Sequence, residues 1–207
     1  MYIKILQFIY ISFLSTILHF SYDMTNHLFI FSIIGSVNES TWEHLKIGLF
    51  PWFTWFYIRK YYFSIKNSYF ANFIAIISFM VTVSSVFYGS NYILQRHCLF
   101  MSISSFYIGV LSGMFFEYKI RKKNLNIPLL EKTGFIGCIF ICIIGFVWTF
   151  YPLRWFLTLD VRYNMYGIEA HNKRCDILAK KKYIIFIFNL FGIPLDEQSK
   201  NNNNEEL

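Results

Sequence analysis

Charged residues are scarce in this chain: they make up 15% of its 207 residues, whereas 56% are hydrophobic. A soluble domain of this length has too little interior to bury that much apolar surface. Four uncharged windows are each long enough for a helix that crosses a bilayer core, which takes about 20 residues. They are residues 5–22, 71–94, 98–116 and 134–153. The composition therefore predicts an all-α, multi-pass integral membrane protein whose main partner is the lipid bilayer.

Cysteine is scarce as well, with four residues in the chain. Their spacing fits neither a disulfide framework nor a cysteine-based zinc site. Cys138 and Cys142 lie one turn apart on a predicted helix, an arrangement typical of packing. Cysteine chemistry is therefore not expected to carry the function.

A fifth membrane crossing is predicted for residues 39–58, although the first two turns of this stretch are polar. We assign Asn38 as the N-cap of this helix, because asparagine favours that position and an early glutamate favours the positive end of the helix dipole. Pro51 is expected to kink the helix. Residues 28–37 are too short to cross a bilayer and are expected to form a re-entrant or interfacial piece. The predicted bundle has about five transmembrane helices.

Lysine and arginine are absent from residues 23–43 and are concentrated in two loops that follow predicted helices. The basic residues of these loops are Arg59, Lys60, Lys66, Lys119, Arg121, Lys122, Lys123 and Lys132. The positive-inside rule places both loops and the N-terminus in the cytoplasm, and residues 37–46 at the outer face. The loops also account for the net charge of +7, so no nucleic-acid partner is predicted.

The chain divides into a predicted membrane domain, residues 1–168, and a tail extension, residues 169–207. The tail contains an apolar stretch at 183–195 that is short for a crossing and is expected to lie at the interface. The Asn-rich end is typical of disordered sequence.

Residues 37–46, Val-Asn-Glu-Ser-Thr-Trp-Glu-His-Leu-Lys, form the one strongly polar segment between apolar runs. Ionisable groups at membrane depth are costly and usually have a partner or a function. On a helix that starts near residue 39, four polar side chains would share one face, and Trp42 would point away as an interfacial anchor. The four are Glu39, Ser40, Glu43 and His44. The topology adds other polar residues at the same end of the bundle, and the predicted pocket comprises His19, Asp23, Asn38, Glu39, Ser40, Glu43, His44, Asp160 and Tyr166.

Two interpretations of this pocket remain open. Carboxylates beside imidazoles suit a divalent metal or acid–base chemistry, with His19 and His44 as candidate metal ligands and Glu39, Glu43 and His44 as candidate catalytic groups. The structural alternative is that Ser36-x-x-Glu39 and Ser40-x-x-Glu43 are capping boxes. Glu43 would then pair with Lys46 across one turn, and His44 would bond a backbone carbonyl.

A family resemblance rests on these same residues. His19-Phe20-x-Tyr22-Asp23 followed by residues 37–46 resembles an uncharacterised bacterial-type family of multi-pass membrane proteins with a P-V-N-E-S-x-W-E-H-L-K signature. A second block is similar to the closing F-Y-P…D…Y-G-I pattern of the family, and it consists of Phe150-Tyr151-Pro152, Asp160 and Tyr166-Gly167-Ile168. Gly35-Ser36, Leu153 and Val161 depart from the family pattern. The resemblance implies a membrane architecture over roughly residues 1–168 and no known reaction.

The leading hypothesis for function is a binding or structural membrane protein in which the pocket binds a ligand or clamps helices together. The alternative is an intramembrane metal-dependent hydrolase or transferase, with His19 and His44 as ligands, a carboxylate as the third ligand and Glu43 as general base. A second alternative is a small proton-coupled transporter that uses Glu39 and Glu117.

Overall fold

The computed structural model of the protein describes residues 2–63, 68–95, 99–123, 125, 127–160 and 163–172. The helices are α1 Tyr2–Met24, α2 Phe29–Ile34, α3 Thr41–Tyr62, α4 Tyr69–Leu94, α5 Leu99–Lys122 and α6 Pro128–Phe150. Two short strands follow, β1 Leu159–Asp160 and β2 Met165–Tyr166. Residues 167–172 are again helical. The predicted interfacial stretch 183–195 lies outside the described residues.

The predicted all-α bundle is confirmed, and each of the five predicted spans is a long helix. Four of them, α1, α4, α5 and α6, are long and apolar enough to cross a membrane. The remaining helix, α3, has 22 residues and contains Pro51 in its interior. Its first turns are polar because Glu43 and Lys46 make contacts inside the protein, as described below.

The helices pack around a core that is rich in aromatic residues. Helix α4 packs against α5 and α6, and α1 packs against α3. Trp52 and Phe79 from the neighbouring helices α3 and α4 are fully buried in this core. Large apolar side chains such as Phe13, Leu111 and Phe140 remain more than half exposed on the outside. Since a membrane provides an apolar solvent for such a surface, this distribution is typical of a lipid-embedded bundle.

The contact between α4 and α5 depends on two glycines. A Cβ on Gly113 would lie 2.8 Å from the backbone oxygen of Ala75, and a Cβ on Gly109 would lie 3.1 Å from that of Phe79. Small residues allow helix backbones to approach closely in membranes. Gly109 and Gly113 therefore allow the close approach of α5 to α4.

Contacts between helix ends show that successive long helices run in opposite directions, so the bundle has two distinct ends. One end, which we call the site end, carries the last turn of α1, α2, the first turns of α3 and the residues after α6. The opposite end, which we call the basic end, carries the last turns of α3 and α5.

A buried ion pair lies at the basic end. Arg59 of α3 pairs with Glu117 of α5, and Gln7 Nε2 of α1 donates to Glu117 Oε2 at 2.8 Å. Arg121 lies farther away, with its Nη1 4.0 Å from Glu117 Oε1. Three helices thus meet at one carboxylate.

Candidate functional site

Helix α3 begins two residues later than predicted, and its N-cap is Ser40 rather than Asn38. The Ser40 hydroxyl accepts a hydrogen bond from the Glu43 N–H at 3.4 Å. Asn38 instead supports the N-cap residue, since its Oδ1 accepts from the Ser40 N–H at 2.8 Å. Of the two predicted capping boxes, Ser40-x-x-Glu43 forms only in part: Ser40 caps the helix, whereas the Glu43 carboxylate accepts hydrogen bonds from Val37 and Thr149. Ser36-x-x-Glu39 does not start a helix, and the Ser36 hydroxyl donates to the Asn38 carbonyl instead.

The later helix start separates the polar side chains that were expected to share one face. Glu39 and Ser40 precede the helix, so the helical spacing does not apply to them. Glu43 is 1% exposed, whereas the side chain of His44 is 35% exposed. Trp42 is not the interfacial anchor predicted from the sequence: it is buried and packs on Trp148, with ring centroids 4.4 Å apart. The polar residues near Trp42 are thus divided between the interior, where Glu43 lies, and the surface, where His44 lies.

The interior part is a network that we call the polar clamp, formed by Glu43, Lys46 and Thr149. Lys46 Nζ lies 2.7 Å from Glu43 Oε2, and both side chains are almost completely buried. Lys46 Nζ also donates to the Ser32 carbonyl at 2.8 Å and to Thr149 Oγ1 at 2.7 Å. All three ammonium protons therefore have acceptors, as a buried lysine requires.

The Glu43 carboxylate is similarly engaged. One oxygen accepts from the Thr149 hydroxyl at 3.0 Å, and the other accepts from the Val37 N–H at 3.0 Å in addition to Lys46. The clamp connects α3 to α6 and to the segment around α2. With both oxygens occupied and no exposure, Glu43 is better suited to holding these elements together than to the general-base role considered above.

The closing segment, which comprises the described residues 151–160 and 163–172, docks on the start of α3 and on the residues that precede it. The Asn38 amide donates to the Gly167 carbonyl at 2.7 Å, and the Glu39 N–H donates to Asp160 Oδ2 at 3.0 Å. A third bond joins the Trp42 N–H to the Leu157 carbonyl at 2.7 Å. Asp160 is buried, and in the strand pair β1–β2 it lies opposite Met165. Tyr166 lies opposite Leu159 in the same pair.

We expect Gly167→Ala to destabilise the protein by about 1–3 kcal/mol. Gly167 has φ +58°, and a Cβ there would lie 2.8 Å from the Thr149 carbonyl oxygen and 2.9 Å from Pro152 Cγ. The left-handed conformation alone costs an L-residue about 1–2 kcal/mol. Unfolding in mixed detergent–SDS micelles, followed by tryptophan fluorescence, measures the change.

Gly89→Ala is the matched control for this substitution. Gly89 lies inside α4, and a Cβ added to it would meet nothing within 4 Å. Alanine is favoured over glycine in a helix by about 0.5–1 kcal/mol, so the control is expected to be neutral or slightly more stable. Equal stability of the two variants would show that the docking of Gly167 contributes little.

The surface part of the segment forms a second arrangement, which we call the His–Glu–His cluster: His19, Glu39 and His44. The Glu39 carboxylate lies between the two rings, with Oε1 4.0 Å from His19 Nε2 and Oε2 3.6 Å from His44 Nε2. The ring centroids of the two histidines are 5.0 Å apart. One potential ligand atom from each of the three residues lies within 4.8 Å of the others.

The orientation of His44 is fixed by the start of its own helix. Its Nδ1 lies 2.8 Å from the Ser40 carbonyl oxygen, which can only accept a hydrogen bond. Nδ1 therefore carries a proton, and in the neutral ring the lone pair resides on Nε2, which faces Glu39. This is the arrangement by which proteins commonly orient a metal-binding histidine.

The structure brings together more histidines than the sequence indicated. Asp23, one turn beyond His19 on α1, lies near His27 and His171, neither of which was in the predicted pocket. The sequence placed His171 in the tail, away from any site. Its proximity to α1 depends on how the closing segment folds back, for which the sequence offers no local signal.

Comparison with known proteins identifies the family of the chain. A family of unknown function, DUF6512, matches residues 2–168, and the chain belongs to this family. No curated protein and no solved structure matches the chain. The expectation of an uncharacterised family is thereby confirmed.

Proposed function

We propose that this DUF6512 protein is an integral membrane protein that binds a divalent metal of the zinc class through His19, Glu39 and His44. The observation that carries the proposal is a carboxylate between two imidazoles, one of which is oriented by a backbone carbonyl so that its Nε2 faces that carboxylate. Two imidazoles and a carboxylate are a ligand set that zinc accepts.

The distances within the cluster favour an ion over direct hydrogen bonds. Separations of 3.6 and 4.0 Å between nitrogen and oxygen exceed hydrogen-bond length. Around a tetrahedral zinc with bonds of about 2.0–2.2 Å, ligand atoms lie about 3.3–3.6 Å apart. Small side-chain rotations would bring the three ligand atoms onto such a shell.

The polar clamp and the closing segment would pre-organise this site. The backbone of Glu39 is held by Asp160, the next residue is the N-cap of α3, and the Ser40 carbonyl orients His44. His19 comes from α1, which packs against α3. Ligands held by rigid neighbours lose little freedom when an ion binds, which favours affinity.

A metal-dependent hydrolase or transferase is the second candidate function, and a specific observation favours it. The side chains of His19 and Glu39 are each 22% exposed and that of His44 is 35% exposed, so the cluster is accessible. Three protein ligands leave a coordination position for water or substrate, where zinc would supply Lewis acidity and activate water.

Transport through Glu39 and Glu117 is less favoured, because the ion pair with Arg59 suits Glu117 to a structural role.

We further propose that the site end faces away from the cytoplasm. The basic residues Arg59, Lys60, Lys119, Arg121 and Lys122 lie in the last turns of α3 and α5, at the basic end. Lys4, in the first turn of α1, lies at the same end, with its Nζ 3.5 Å from the centroid of the Tyr118 ring. By the positive-inside rule this end is cytoplasmic, which puts the His–Glu–His cluster at the outer face.

The metal content of purified protein tests the proposal. The protein is prepared in detergent without a polyhistidine tag, and bound zinc, iron and manganese are measured by inductively coupled plasma mass spectrometry. We expect His44→Ala and Glu39→Gln each to lose about one metal equivalent relative to wild type, since each removes a ligand.

Glu169→Gln is the control, because it removes an exposed carboxylate outside the cluster. It is expected to keep the metal content of wild type. Gel filtration and far-UV circular dichroism verify that each variant is folded. A folded His44→Ala protein with the metal content of wild type would overturn the proposal.

A further inference from the structure

A second group of metal-binding side chains lies beside the first, at the very end of α1. Asp23 Oδ1 is 3.9 Å from His27 Nε2 and 3.7 Å from His171 Nδ1. The two rings meet edge to face, with centroids 4.5 Å apart. One potential ligand atom from each of these residues lies within 4.8 Å of the others, as in the His–Glu–His cluster. None of the three belongs to the site proposed above.

The C-terminus of α1 determines where His27 lies. The His27 N–H donates to the Tyr22 carbonyl at 2.9 Å, and the Asn26 N–H donates to the Asp23 carbonyl at 3.3 Å. This is the hydrogen-bond pattern of a Schellman motif, and Asn26 has the left-handed φ of +53° that the motif requires. His27 is also left-handed, with φ +66°. The reversal returns the chain over the last helical turn, so that His27 faces Asp23.

His171 reaches the same place from the far end of the described chain. It lies in the helical residues 167–172 and is only 3% exposed, although Asp23 and His27 are each more than 40% exposed. Its ring packs on Tyr22, with centroids 4.9 Å apart. The preceding residue, Ala170, is completely buried. The buried imidazole of His171 thus lies close to the accessible side chains of Asp23 and His27, which belong to a distant part of the sequence.

We propose that Asp23, His27 and His171 form a second divalent-metal site, which fastens residues 167–172 to the end of α1. Two imidazoles and one carboxylate favour zinc and related transition metals over magnesium or calcium, which prefer oxygen ligands. The separations of 3.7 and 3.9 Å are too long for hydrogen bonds and suit ligands that surround an ion. The metal would join segments 144 residues apart (171 minus 27) and so stabilise the docked closing segment.

Zinc titration of metal-free protein tests the site. Protein stripped with a chelator in detergent is titrated with zinc chloride in a calorimeter. His27→Ala removes an accessible ligand and is expected to take up about one zinc equivalent less than wild type. His44→Ala, which alters only the His–Glu–His cluster, is expected to retain the uptake that depends on His27. If His27→Ala takes up as much zinc as wild type, the second site is overturned, whatever happens at His44.

Hydrogen–deuterium exchange tests the fastening itself. Zinc is expected to slow amide exchange in residues 167–172 at least severalfold in wild type and in His44→Ala, and to slow it far less in His27→Ala. This readout separates the two proposals, because the first site can fail while the zinc effect on residues 167–172 persists. Zinc uptake at His27 without any change in exchange would overturn the fastening role.

Discussion

Replacing Lys46 by methionine is expected to lower the free energy of unfolding by about 3–5 kcal/mol, which is typical for removal of one partner from a buried ion pair. The substitution preserves most of the side-chain volume but removes the positive charge. Glu43 then remains 1% exposed with its neutralising partner gone. The Ser32 carbonyl and the Thr149 hydroxyl also lose their donor. Because these acceptors belong to different parts of the bundle, the loss weakens the junction of α2, α3 and α6.

The measurement is unfolding in mixed detergent–SDS micelles, followed by tryptophan fluorescence. Lys132→Met is the matched control, since it makes the same chemical change at a more accessible position of α6. The double variant Lys46→Met with Glu43→Gln is expected to be more stable than Lys46→Met alone, because it leaves no buried charge unpaired. Equal stability of Lys46→Met and Lys132→Met would contradict the clamp.

Arg59→Met is expected to have an effect of similar size, about 3–5 kcal/mol, at the other end of the bundle. Arg59 and Glu117 are both buried and form an ion pair between α3 and α5. Without Arg59, the carboxylate retains the hydrogen bond from Gln7 and only a distant guanidinium, that of Arg121 at 4.0 Å. Neither compensates for the lost charge in a region of low dielectric constant.

Arg121→Met provides a graded comparison for Arg59→Met. The Arg121 side chain is 27% exposed and lies at the limit of ion-pair distance from Glu117. Partly exposed pairs of this kind contribute about 0–1 kcal/mol, so this variant should lose far less stability. Measured in the same SDS titration, an Arg121→Met protein less stable than Arg59→Met would show that Glu117 is neutralised mainly by Arg121.

The helices could be predicted from the sequence because hydropathy and length are local properties. The ion pair between Glu43 and Lys46 could also be predicted, since residues three apart on a helix are neighbours. The N-cap could not be assigned correctly, because Asn38 and Ser40 are both favourable N-cap residues. In the structure Asn38 instead bonds the Gly167 carbonyl, a contact that depends on the tertiary fold.

Long-range partners were the part that sequence reasoning missed. Arg59 and Glu117 are 58 residues apart, and sequence spacing gives no signal for a pair so widely separated. His171 reaches Asp23 only because the closing segment turns back onto α1. The burial of Trp42 was missed for a related reason: a tryptophan near a helix start suits an interface as well as a core, and its neighbour Trp148 lies on α6.

The polar segment 37–46 thus divides its residues between two roles. Asn38, Glu43 and Lys46 face inward and hold the closing segment, α2 and α6 to the start of α3. Glu39 and His44 face His19 at the accessible surface. The two interpretations drawn from the sequence, a structural junction and a metal site, are therefore compatible, because they involve different side chains.

X-ray absorption spectroscopy at the zinc edge tests the central claim most directly. The zinc-loaded His27→Ala protein is the sample, because it keeps the His–Glu–His cluster and lacks a ligand of the second group. A metal site at the cluster predicts about two imidazole nitrogens and a carboxylate oxygen at about 2.0–2.2 Å, with a spectrum that changes when His44→Ala is added. A shell of oxygen atoms alone, or a spectrum indifferent to His44→Ala, would contradict a metal site at His19, Glu39 and His44.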